Sequence, residues 1–104
     1  MKLNNILSQA KKMQEKIQEA QKELSGKTVE ASAGGGMVTV VANGKNQILS
    51  VKIDQAIFQE GDVEMFEDLI AAATNEALRR SQELMTQEMA KISGGAGLNI
   101  PGLL

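Results

Sequence analysis

Thr28-Val29-Glu30-Ala31-Ser32-Ala33-Gly34-Gly35-Gly36-Met37-Val38-Thr39-Val40-Val41-Ala42-Asn43-Gly44-Lys45-Asn46-Gln47-Ile48-Leu49-Ser50-Val51-Lys52-Ile53 sets the architecture of the chain. Its β-branched and alternating residues cluster at 28–31, 37–41 and 48–53, which predicts three short strands. Between the second and third, the pair Asn43-Gly44 tolerates the positive φ values of a tight hairpin, so that connection is antiparallel. Gly34-Gly35-Gly36 invites comparison with a phosphate-cradling loop. It lacks the Gly-Lys-Ser/Thr ending, however, and opens a strand rather than a helix, so it reads as a turn or bulge.

Outward from this region lie two helical stretches too long for it. Leu3, Ile6, Ala10, Met13, Ile17, Ala20 and Leu24 fall at alternating spacings of three and four, a heptad seam that predicts a helix stopped by Gly26. About 22 residues of helix extend about 33 Å at 1.5 Å per residue, whereas a six-residue strand spans only about 20 Å. The stripe is narrow, because Lys11, Lys12, Glu15, Lys16, Glu19, Lys22 and Glu23 surround it with both signs of charge. On the other side, a short connector leads to Asp62, a candidate N-cap followed by Glu64, Glu67 and Asp68 near the positive end of a helix dipole. The helix that begins there is expected to run to about Ser93, with Phe66, Leu69, Ile70, Ala73 and Ala77 on one apolar face and Leu84, Met85, Met89 and Ile92 beyond Arg79 and Arg80. A single domain over residues 1–93 follows, with a flexible Gly-rich tail over 94–104.

Composition removes several classes of chemistry. The 104 residues contain no His and no Cys, so disulfides, thiol nucleophiles, imidazole bases and the usual zinc ligands are absent. No cofactor or metal site is legible, and no stretch approaches the length of a membrane span. The expectation is a soluble cytoplasmic protein without a small-molecule substrate. Glu67 and Asp68 do not make an acid–base pair, because adjacent helical residues diverge by about 100° and neither has a partner nucleophile. Phe58 and Phe66 are the only aromatic residues, and core packing is expected to account for both. A three-stranded sheet with open edges and partly covered helical seams is marginal as one copy, which points to a homodimer.

Met13-Gln14-Glu15-Lys16, Gly35-Gly36-Met37-Val38-Thr39-Val40, Asn43-Gly44-Lys45, Val51-Lys52-Ile53-Asp54 and the run from Glu67 through Ala77, with the ending Ile100-Pro101-Gly102-Leu103, occur in an order that resembles the YbaB/EbfC family of bacterial nucleoid-associated proteins. One departure is Gln55, where members commonly carry Pro. The resemblance implies an α+β fold of αβββα order with a small antiparallel sheet and two protruding helices. It also implies a homodimer joined through the sheet region, binding to double-stranded DNA, a location in the nucleoid, and roles in nucleoid organisation and gene regulation.

The formal charge of −2 argues against a nucleic-acid binder until its distribution is considered. Residues 1–55 carry eight lysines against five carboxylates, a balance of +3, while the remainder stands at −5. Lys12, Lys16, Lys22, Arg79 and Arg80 are the candidate phosphate contacts, since side chains on the arms can reach backbone oxygens without reading bases. The plainer alternative is that they only solvate the arms. A different class of function, a helical-arm chaperone or adaptor for protein partners, predicts exposed apolar inner faces and salt-tolerant binding.

Overall fold

A computed structural model describes residues 2–95. The elements run α1 (Lys2–Gly26), β1 (Thr28–Ala33), β2 (Val38–Asn43), β3 (Ile48–Ile53), α2 (Ala56–Glu60) and α3 (Val63–Gly95). Residues 96–104, which include most of the expected tail and the Ile100-Pro101-Gly102-Leu103 ending, lie outside the described residues.

The sheet has the order β1-β2-β3 and both pairings are antiparallel, Ala31 facing Val40 and Val40 facing Val51. All three glycines of Gly34-Gly35-Gly36 take positive φ, between 66° and 94°, which makes this segment a turn. The β2–β3 connection differs from expectation. The left-handed residue is Asn46, at φ 62°, and Gly44 is not left-handed. Gly44 is required for space instead: a Cβ there would lie 2.7 Å from Leu24 Cδ2 and 2.9 Å from the Leu24 carbonyl oxygen. The Gly44 N–H donates to that same carbonyl at 2.8 Å, tying the hairpin to the end of α1.

Alternation along the strands places Ala31, Val38, Val40 and Ala42 on one sheet face, where they meet Ala73 and Ala77 of α3 and Ile57 of α2. Alanines at the crossing let helix and sheet approach closely, while Phe66, Leu69 and Ile70 fill the space beyond them. The expected α3 face is therefore the observed one. Asp62 caps that helix, its Oδ1 accepting the Met65 N–H at 3.0 Å. The connector before it contains the unforeseen helix α2, whose first turn is capped by Asp54 Oδ1 accepting the Ala56 N–H at 2.9 Å. Phe58 corrects a second expectation: it is 66% exposed. Its ring leans on Phe66 with centroids 5.7 Å apart, and only the neighbouring Ile57 points into the core.

α3 covers β1 and β2 and leaves β3 at an open edge, with Ile48, Leu49 and Val51 between 40% and 54% exposed. Beyond the sheet, α3 meets the C-terminal half of α1. Ala20 and Leu24 of the seam are buried there, and Lys27 Nζ reaches the buried carboxylate of Glu88 at 2.5 Å. Among the described residues α3 continues seven residues past Glu88, about 10 Å, whereas α1 runs back more than 20 residues from Leu24, about 33 Å. α1 therefore outruns its neighbour, and the molecule measures 71 × 24 × 16 Å.

Candidate nucleic-acid interface

The heptad seam aims one stripe of α1 at α3, which leaves its charged flanks in solvent. Lys12, Lys16 and Lys22 are all exposed, and none forms an ion pair with another described residue. Lys12 and Lys16 lie one turn apart on the same flank, separated by about 40° around the axis. Lys22 falls about 120° from Lys16, on the flank shared with Lys11. Sequence spacing alone fixes this division, and the burial of Ala20 and Leu24 orients it.

Arg79 and Arg80 stand differently. Both converge on Glu76: Arg79 Nη2 donates to its Oε1 at 2.5 Å, and Arg80 Nε to the same atom at 3.3 Å. Arg79 also pairs with Glu83, and Arg80 Nη1 donates to the Glu30 carbonyl on the outer strand β1. The hydrogen bond from Arg79, reinforced by both arginine charges, lowers the Glu76 pKa to about 2, so the carboxylate is ionised throughout the neutral range. The same pairing raises the pKa of Arg79. These arginines are thus already neutralised within the protein. The signal that could have shown this was in the sequence, since Glu76, Arg79, Arg80 and Glu83 stand three and four residues apart.

A second ionic cluster fixes the base of the arms. Glu88, 5% exposed, accepts Lys27 at 2.5 Å and Lys91 at 3.3 Å, and these bonds hold its pKa below the ordinary 4.5 while raising that of Lys27. Two turns earlier on α3, buried Ser81 donates to the Asn43 carbonyl at 2.6 Å and accepts the Asn46 N–H at 3.0 Å. Asn43, also buried, accepts the Lys45 and Gln47 N–H groups through Oδ1. The hairpin is thereby locked to α3 and α1 together, and the direction of α1 relative to the sheet is set by buried hydrogen bonds.

Among the described residues no three carboxylates gather as a metal site, and no helix is long and apolar enough to cross a membrane. Glu67 and Asp68 lie exposed near the start of α3.

The arrangement has relatives. The chain is 57% identical over 99 residues to a nucleoid-associated protein of Syntrophobacter fumaroxidans, covering 95% of this chain and 88% of that one. It is 54% identical over 101 residues to a nucleoid-associated protein of a Thermoanaerobacter species, covering 97% and 89%. The fold matches a crystal structure of an uncharacterized Helicobacter pylori protein with a TM-score of 0.80 at 18% identity, covering 88% of this chain and 97% of that one. The model of the YbaB/EbfC DNA-binding family, a nucleoid-associated family rather than an enzyme family, matches residues 1–96. The chain belongs to the YbaB/EbfC DNA-binding family.

Proposed function

We propose that the protein is a homodimer of the nucleoid that binds double-stranded DNA mainly through backbone phosphates, using the helical arms, and that it serves nucleoid organisation and gene regulation. The observation that carries this reading is the set of solvated ammonium groups on α1: Lys12, Lys16 and Lys22 have no internal counter-ion among the described residues, on a helix tied at its base to the hairpin by the Gly44–Leu24 hydrogen bond. Phosphate contacts of this kind position a protein on DNA without reading sequence. Arg79 and Arg80 join them only by giving up or sharing Glu76, so they are the weaker members of the set.

Dimerisation is supported by the β3 edge. Ile48, Leu49 and Val51 expose apolar surface beside unpaired strand edge, the arrangement that a second copy covers most economically. Doubling the chain doubles the basic arms, and phosphate contacts that are weak singly then add through effective concentration.

Fluorescence anisotropy of a labelled duplex titrated with the protein at several salt concentrations, beside a single-stranded control, tests the reading. Duplex binding that weakens steeply with salt supports it. No duplex binding at low salt refutes it. The adaptor reading draws on one observation, the exposed Leu3, Ile6 and Leu7 at the end of α1, and predicts capture of protein partners that salt does not weaken.

A further inference from the structure

The two ends of the molecule are chemically opposite. At the free end of α1, Leu3, Ile6 and Leu7 are 59–68% exposed although they continue the heptad seam or adjoin it. Lys2, Lys11 and Lys12 accompany them, and the first carboxylate of the chain is Glu15. This tip is a short basic amphipathic helix without a neighbour among the described residues.

At the other end, α2 turns into α3 through Gly61 and leaves a cavity of about 100 Å³ lined by Ile57, Phe58, Gly61, Asp62, Val63 and Phe66. Its mouth is apolar, with Phe58 66% and Val63 67% exposed. Asp62 lines it, and the first turns of α3 beside it carry the exposed Glu64, Glu67 and Asp68 with no Lys or Arg from Ile53 through Leu78, the nearest cation along the chain before it being Lys52 at the end of β3. The hydrogen bond of Gly44 to Leu24 puts the β2–β3 hairpin at the base of α1. The bond from the Asp54 N–H to the Met37 carbonyl puts the α2 corner at the opposite end of the same strands. Tip and pocket therefore lie at opposite ends of the 71 Å molecule.

We propose that the basic apolar tip of α1 from one molecule docks into the acid-rimmed pocket between α2 and α3 of another, head to tail. The pocket has room for one aliphatic side chain, which Leu3, Ile6 or Leu7 supplies, and the lysines of the tip meet Asp62 at its edge and the acidic first turns of α3 beside it. Neither end suits its own kind, because two tips bring lysines together and two pockets bring carboxylates together. The acidic corner also repels DNA phosphates, so a nucleic acid is not its occupant. A head-to-tail contact between unlike surfaces generates open chains unless its rotation closes a ring, and surfaces at opposite ends of a long molecule favour the open chain. The contact is small, so each junction is weak and assembly shows at high protein concentration or where molecules are already lined up. The contact is separate from the β3 edge and needs no DNA; of the tip lysines only Lys12 also belongs to the phosphate-binding reading.

Sedimentation velocity of the full chain over a wide concentration range, without DNA, tests it with Ile6→Asp at the tip and Phe58→Asp in the pocket. Both side chains are exposed, so both variants fold, as far-UV circular dichroism checks. The wild type is expected to grow with concentration, less so at high salt. Each variant weakens this growth by about tenfold or more, because the introduced carboxylate must be desolvated among apolar or like-charged groups. Mixing the two variants restores the growth, since one keeps an intact pocket and the other an intact tip. A wild type whose sedimentation coefficient is independent of concentration overturns the proposal. So does growth that survives Phe58→Asp, which would mean tip-to-tip contact, or a mixture that behaves as its components do alone.

Discussion

Gly44→Ala probes how the arm is joined to the sheet. The new Cβ would stand 2.7 Å from Leu24 Cδ2, 2.9 Å from the Leu24 carbonyl oxygen and 3.0 Å from Leu24 Cβ. Carbon atoms rest at about 3.5–4.0 Å, so hairpin and helix must separate by roughly 1 Å. Leu24 is 1% exposed, so its side chain cannot swing out into solvent, and one of the clashing atoms is backbone. Overpacking of this kind costs about 1–3 kcal/mol. Stretching the 2.8 Å bond from the Gly44 N–H to the Leu24 carbonyl adds about 1 kcal/mol, while the stiffer unfolded chain returns about 0.4–1 kcal/mol. The net loss is about 1–3 kcal/mol, a fall in Tm of roughly 5–20 °C for a domain of this size. Thermal melts followed by circular dichroism at one fixed protein concentration measure it, with Gly26→Ala as control. A Cβ at Gly26 meets nothing within 4 Å and its φ is not positive, so that variant melts at or above the wild-type temperature. A Tm for Gly44→Ala within about 2 °C of wild type would refute the tight joint between hairpin and arm.

Gln55→Pro is expected to stabilise the fold by about 0.4–1 kcal/mol, because Gln55 already sits at φ −60° just ahead of α2, the value that a proline ring imposes; a lower denaturation midpoint in urea would refute it. Glu76→Gln removes the carboxylate that Arg80 shares with Arg79 and leaves Arg79 paired with Glu83, so duplex affinity measured by anisotropy rises by about two- to fivefold if these arginines meet phosphates, and stays level if they do not. The same substitution changes acid stability. Glu76 has its pKa lowered to about 2 from 4.5, so its contribution is complete above pH 4.5 and is lost as the pH falls toward 2; Glu88 shifts in the same direction. The wild-type Tm is therefore expected to fall more steeply over that interval than the Tm of Glu76→Gln. Lys27 acts at the other extreme, its share persisting below 10.5 and fading only as the pH rises through its raised pKa.

Regular patterns were the legible part of the sequence. The seam of α1 and the apolar face of α3 rest on spacings that persist over several turns, and the Asp62 cap and the strand alternation are local signals. α2 escaped notice because five residues are too few to show a period. Asn43-Gly44 looks like a local turn signal, yet Gly44 answers to Leu24, twenty residues away, and the left-handed position moves to Asn46. Core packing is the expectation for Phe58 as for Phe66, whereas the short helix turns Ile57 inward and Phe58 outward. The candidate site divides the same way. The solvated lysines of α1 follow from its seam. The spacing of Glu76, Arg79, Arg80 and Glu83 puts the arginines within reach of these carboxylates, whereas the reach of Arg80 to strand β1 depends on the tertiary placement of α3. The exposed tip was hidden for a related reason: a seam shows that a helix has an apolar stripe, not how far its neighbour extends.

The salt dependence of duplex binding by the triple variant Lys12→Ala, Lys16→Ala and Lys22→Ala, set against the wild type, is the most direct measurement. Each phosphate contact contributes about 0.9 to the slope of log K against log salt. If the arms bind phosphates through these lysines, the variant binds more weakly at low salt and its slope is shallower by about 0.9 for every lysine that was engaged. Equal slopes and equal affinities in the two proteins would contradict DNA binding through α1.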